Sequence, residues 1–120
     1  MTNVVTKSWG KSVEILQDAT QDNGRRITCA GYNEVNPYGV IKLHVHEKDN
    51  EEYVPQNEGM KIIVMSEEEA AQLTEAKLCE MLEDAEEAAV GDVITCHKGE
   101  AHALYNDSDK TGRLVFIKYE

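Results

Sequence analysis

The sequence predicts an all-β domain, a sandwich or barrel of short strands interrupted by one helical insertion at about residues 66–87. Three observations carry this. Short runs rich in β-branched and aromatic residues recur along the 120 residues, each bounded by turn formers. A single segment, SEEEAAQLTEAKLCEMLEDAEEAA, breaks that rhythm with helical spacing. Pro37 and Pro55 are the only prolines, so no proline-rich linker divides the chain, which reads as one domain, 1–120. A domain of this length buries roughly two thirds of the surface its unfolded chain exposes.

In chain order, SVEIL (12–16) leads into the turn-rich DATQDNG, RRITCAGY (25–32) into NEVNPYG, and VIKLHVH (40–46) into EKDN. GMKIIVM (59–65) opens on a glycine. DVITCH (92–97), HALYN (102–106) and RLVFIKY (113–119) complete the strands, the last two separated by DSDKTG. The helical segment opens at Ser66 with Glu69 three residues on, the spacing of a capping box that satisfies free amides of a first turn. Leu78, Leu82 and Ala85, with Ala71 and Met81 beside them, recur at helical intervals, giving either one amphipathic helix or a helix pair broken near Thr74. That stripe is expected to pack on the β framework, with a dimer contact as the other option.

Composition excludes several partners. A formal net charge of −11 opposes binding to nucleic acid or to an anionic membrane, because phosphates would be repelled. Much of the charge is local, since nine acidic residues between Glu67 and Glu87 face only Lys77, the pattern of a solvated helix face. The N-terminus carries no apolar run of signal-peptide length, and nothing approaches the twenty or so apolar residues of a membrane span, so a cytoplasmic protein with a small-molecule ligand is expected. Cys29, Cys79 and Cys96 lack CxxC spacing and are expected to be packed, unbridged thiols.

Chemistry concentrates in VIKLHVH. Strand alternation puts Lys42, His44 and His46 on one face, with Ile41, Leu43 and Val45 on the other. Two imidazoles facing the same way can share a divalent ion at about 2.0–2.2 Å per ligand, and a carboxylate from the next strand would add a third donor. On its own an HxH is equally consistent with two ordinary histidines. The second half of the chain supplies GDVITCHKGEAHALYN (91–106), where His102 enters another strand.

Together the two stretches resemble the paired signature motifs of the cupin superfamily. Gly39, His44, His46, Glu51 and Gly59 stand in the order of the first motif, and Gly91, Gly99, His102 and Asn106 fall at the spacing of the second. Only four residues separate Gly39 from His44, and His97 takes the place of the motif proline. Counting forward from His46 selects Glu51 and counting back from Gly59 selects Glu52; the shorter reach favours Glu51. The resemblance implies a double-stranded β-helix, or jelly-roll barrel, with His44, His46, Glu51 and His102 as ligands of a divalent transition metal: iron, manganese, nickel, cobalt or zinc. It implies that a homodimer covers the sheet edges, and Asn106 is expected to fix a backbone turn, with a substrate contact as the other option. Alternation, apart from the resemblance, has Lys42 either snorkel to solvent or meet an anionic group of the ligand, a carboxylate or phosphate, with a salt bridge to a local glutamate as the other option. Tyr53, Tyr105 and Arg113 are further pocket candidates, and His97 is expected at the rim.

The implied function is a metal-dependent enzyme on a small polar metabolite such as a sugar, sugar phosphate or keto acid, of isomerase or epimerase type. An iron-dependent dioxygenase and a non-catalytic small-molecule-binding barrel are the alternatives.

Overall fold

The strands are β1 (Asn3–Lys7), β2 (Gly10–Asp22), β3 (Arg25–Val35), β4 (Val40–Val45), β5 (Asn50–Pro55), β6 (Met60–Ser66), β7 (Ile94–Cys96), β8 (Glu100–Asn106) and β9 (Gly112–Tyr119). Between β6 and β7 lie helices α1 (Glu67–Ala71) and α2 (Glu75–Asp84). The structure, a computed structural model, describes residues 2–22 and 25–120, with the side chains of 17–25 outside that description. Antiparallel pairing builds a six-stranded sheet in the order β1-β2-β3-β9-β5-β7 and a three-stranded sheet in the order β4-β8-β6. Val35, Ile41, Tyr53, Met60, Leu104, Leu114 and Phe116, drawn from both sheets, form the buried core.

The all-β expectation with its helical insertion holds, and three details differ. The first five residues of DATQDNG are strand, because β2 pairs with β3 as far as Asp22; residues 23 and 24 lie outside the described part. Strand β1 pairs with β2 and forms one edge of the larger sheet. Strand β5 lies between β9 and β7 and alternates in burial, with Glu51, Tyr53 and Pro55 buried.

The insertion takes the helix-pair form. The Ser66 hydroxyl accepts the Glu69 amide at 3.2 Å, and the Thr74 hydroxyl accepts the Lys77 amide at 3.1 Å, so a second N-cap interrupts the segment. Leu78, Met81, Leu82 and Ala85 turn inward, whereas Ala71 and the acidic residues are exposed. Cys79, expected to be packed, is also exposed, because one residue past Leu78 on a helix points about 100° away from its apolar stripe.

Lys61 on β6 fastens α2 to the sheet. Its ammonium donates to the Glu83 carbonyl at the end of α2 and lies 3.1 Å from Asp107. Lys61 pairs with Tyr105, so both project from the outer face of the three-stranded sheet, the face that α2 covers. The opposite face, carrying His102 and Leu104, looks into the barrel.

Two motif positions serve the backbone. Gly59 has φ +97°, and a Cβ there would stand 2.8 Å from the Ser108 Cβ. The Asn106 side-chain amide donates to the carbonyls of Val35 at 3.1 Å, Asn36 at 3.2 Å and Lys110 at 2.8 Å. It ties three chain segments together, as a turn-fixing role requires.

Candidate metal centre

His44 on β4 and His102 on β8 are direct antiparallel partners, and their ring centroids are 4.2 Å apart. His46 follows immediately after β4, its ring 5.0 Å from that of His44 and 5.2 Å from that of His102. The turn before β8 holds it in place, since the Gly99 amide donates to the His46 carbonyl at 3.0 Å. Glu51 enters from β5 on the other sheet and is 2 % exposed. The cluster therefore sits between the sheets and exists only when they close on one another.

One carboxylate oxygen is the focus. Oε1 of Glu51 accepts the Tyr53 hydroxyl at 2.7 Å and lies 3.1 Å from Nε2 of His46 and 3.3 Å from Nε2 of His102. Burial by itself would raise the Glu51 carboxyl, but the contacts from His102 and His46, the charge of Lys118 and the Tyr53 hydroxyl outweigh it and hold the group ionised far below its usual range. Burial, reinforced by the Glu51 charge, pushes the Tyr53 phenol well above its ordinary value, so it stays a donor. Burial also lowers His44 and keeps its imidazole neutral.

These donors suit a transition ion. One ligand atom from each of His44, His46, Glu51 and His102 lies within 4.8 Å of the others, and bonds of about 2.0–2.2 Å place opposite ligands no more than about 4.4 Å apart, so a contraction of a few tenths of an ångström suffices. His44 is already in the required tautomer: Nδ1 bonds the Lys42 carbonyl at 2.8 Å, which can only accept, leaving the Nε2 lone pair free. His102 is less prepared. Among the described residues its buried Nδ1 has no hydrogen-bond partner, and ligation through Nε2 would place the ring proton there at a cost of about 1–3 kcal/mol that ion binding must offset.

The cluster opens into a cavity of about 440 Å³ whose walls include Trp9, Asn33, Tyr53, Phe116 and Lys118. A groove of about 590 Å³ elsewhere, lined by Tyr38, Glu58, Asp107 and Asp109, contains no histidine.

Several sequence expectations meet different geometry. Glu51 faces the histidines, while Glu52, one residue along the same strand, points to the opposite side. Lys42 does not share the face of His44, because a register shift between Ile41 and His44 inserts an extra residue and makes Ile41 the inward neighbour. Its side chain is 84 % exposed at the cavity mouth, 3.8 Å from Glu75. Tyr105 projects from β8 opposite to His102 and does not reach the cavity. Arg113 packs over the Tyr32 ring at 4.2 Å on the outer surface, and His97 is an exposed turn residue. Cys96 is buried across from Glu51, its thiol pushed up to about 12 by burial and by that carboxylate, so it is packed and inert. Lys118 and Asn33 were not anticipated. Alternation from Leu114 and Phe116 would have pointed Lys118 inward, whereas nothing in TCAGYNEV distinguishes Asn33 from a surface amide.

No sequence-family model matches the chain, and no curated protein does. Solved structures do. The cupin domain of Drosophila melanogaster CENP-C superposes with a TM-score of 0.64 at 15 % identity, over 98 % of this chain and 74 % of that one. A predicted oxalate decarboxylase from Thermotoga maritima gives 0.60 at 13 % identity, over 98 % of this chain and 90 % of that one. This is a cupin fold. The capsular polysaccharide assembling protein CapF from Staphylococcus aureus contains the same fold, with a TM-score of 0.67 at 13 % identity; the match spans 98 % of this chain and 30 % of CapF. The resemblance carried by the two histidine motifs is thus borne out at the level of the cupin architecture, with its insertion between them. No helix among the described residues is long and apolar enough to cross a membrane.

Proposed function

We propose that this cupin is a metal-dependent enzyme acting on a small polar metabolite, with His44, His46, Glu51 and His102 holding one divalent transition ion at the inner end of the cavity. The observation that carries this reading is the convergence of three imidazoles and an ionised, buried carboxylate from two sheets onto one point beside a cavity of about 440 Å³. Iron, manganese, nickel, cobalt and zinc all suit such donors. A bound ion would supply Lewis acidity, polarising a carbonyl or hydroxyl of the metabolite.

The chain's own residues do the rest. Tyr53 holds the Glu51 oxygen in place, and the Lys42 carbonyl fixes the His44 ring. Trp9 and Phe116 give the cavity apolar walls, restricting water around the reacting carbon. Proton transfer next to a carbonyl, as in an isomerase or epimerase, is the reaction we assign. A second reading, non-catalytic binding, is favoured by the neighbour CENP-C, whose domain has been solved bound to CAL1. We place the protein in the cytoplasm as a homodimer.

The test is metal content of protein purified without chelator, followed by deuterium incorporation from solvent into a panel of keto and hydroxy acids. Near-stoichiometric metal with exchange supports the enzyme reading. Metal without exchange selects the binding reading, exchange replaced by oxygen consumption selects a dioxygenase, and failure to bind any of the five ions refutes the proposal.

A further inference from the structure

Lys118 and Asn33 form a pair that the metal centre does not use. In the β5–β9 pairing Lys118 stands directly opposite Glu51, and Phe116 opposite Tyr53. Residues two apart on a strand share a face, so Lys118 points to the same interior as the Phe116 ring. Its ammonium lies 5.6 Å from that ring's centroid and borders the cavity. It is half-buried, and although its charge acts on Glu51 across the strand pair, among the described residues no carboxylate oxygen lies within ion-pair distance of the ammonium. Asn33 on β3 is 6 % exposed and borders the same cavity, and no described residue hydrogen-bonds its side-chain amide. A buried residue's amide and a half-buried ammonium border one cavity and offer donors that a ligand there can match. An acceptor carrying negative charge would satisfy both.

We propose that Lys118, assisted by the Asn33 amide, is the anion anchor of the cavity, so that the ligand is a small organic acid. Its carboxylate bonds Lys118 and Asn33 while its remaining oxygens face the histidine cluster. This rests on the function proposed above and narrows its substrate class to anions; a phosphate group presents the same chemistry to the same donors. Lys42, at the mouth and beside Glu75, is not the anchor.

Trp9 borders the cavity and is the sole tryptophan, so its fluorescence reports occupancy. The experiment titrates oxalate and, separately, inorganic phosphate into the Co(II)-loaded chain, reading Trp9 emission and the cobalt absorption bands. Lys118→Met should weaken the bound anion at least about tenfold, the low end for a hydrogen bond to a charged group, with no loss of Co(II) affinity. Lys118→Arg should restore binding to within about threefold, Asn33→Ala should weaken it about threefold or more, and Lys42→Met should leave it unchanged. Lys118-dependent binding of either anion supports the anchor, and the anion that binds fixes the source. Binding indifferent to Lys118→Met, or no binding of either anion to the cobalt protein, overturns it. If the chain takes up no Co(II), the metal reading fails by itself, and the same Trp9 titration on the metal-free chain decides the anchor.

Discussion

Tyr53→Phe removes the shortest of the three contacts described for the proposed carboxylate ligand. The tyrosine is 2 % exposed, and phenylalanine keeps its ring and volume, so the substitution removes an oxygen without opening an apolar cavity. What is lost is a 2.7 Å hydrogen bond to an ionised carboxylate, together with a 3.2 Å contact to Nε2 of His102. A hydrogen bond to a charged group contributes about 1.5–3 kcal/mol, and each 1.4 kcal/mol is a factor of ten, so metal affinity should fall roughly 10- to 150-fold. That range matches the loss seen on removing groups that orient metal ligands. A competition titration of Co(II) against a chromophoric chelator measures it, and urea unfolding of the metal-free variant gives the accompanying stability change.

The acid limb of stability offers a second readout of the same variant. Glu51 has a depressed carboxyl in the folded state, so its contribution is present above the unfolded pKa and is lost as pH falls through the folded one. Removing the Tyr53 donor raises the folded value toward the ordinary one, which narrows that window from below. Metal affinity unchanged within twofold, with a stability loss no larger than that of a surface change, would refute the reasoning that Tyr53 positions Glu51.

The remaining predictions are shorter. His102→Ala should abolish stoichiometric metal uptake, losing at least about a hundredfold in affinity, whereas Tyr105→Phe, on the outer face of β8, should leave uptake unchanged; metal analysis after dialysis checks both. Lys61→Met removes the latch between β6 and α2 and should cost about 1–3 kcal/mol, with proteolysis and amide exchange rising first in 67–87. The metal-free protein should lose stability as pH falls below about 6.5. Burial holds folded His44 below its unfolded value, so the unfolded chain takes up the proton first; denaturant unfolding across pH 5–8 measures this. Gly59→Ala should destabilise more than Gly99→Ala. Both have positive φ, but only the first brings a new methyl within 2.8 Å of Ser108, a contrast readable as a difference in melting temperature.

What could be read from the sequence was which residues form the histidine–glutamate cluster, and what could not was how their strands meet. His44, His46 and His102 lie in runs whose hydrophobic neighbours mark them as strands. Glu51 was legible only through its distance from His46, because β5 hides its own pattern: its inward positions are Glu51, Tyr53 and Pro55, where a half-buried strand would ordinarily be apolar. A functional polar residue at an inward position erases the period that identifies the strand carrying it. The face of Lys42 was hidden for a different reason. The register shift between Ile41 and His44 arises from pairing with β8, so strict alternation along VIKLHVH assigns it the wrong face.

The charge distribution connects the fold to the chemistry. A net charge of −11 would repel an anion if it were spread evenly, yet much of it lies on the insertion, whose helices cover the outer face of the three-stranded sheet. Charges in solvent are largely screened beyond about 8–10 Å at moderate ionic strength, so the acidic helices bear weakly on the cavity side of that sheet. Inside, Lys118 borders the cavity directly, and an ion held by the cluster would add further positive charge next to Glu51. The local field at the cavity can therefore favour an anion while the molecule as a whole is strongly acidic. The two properties are separated by a β-sheet, and the same sheet presents His102 on one side and the base of the acidic insertion on the other.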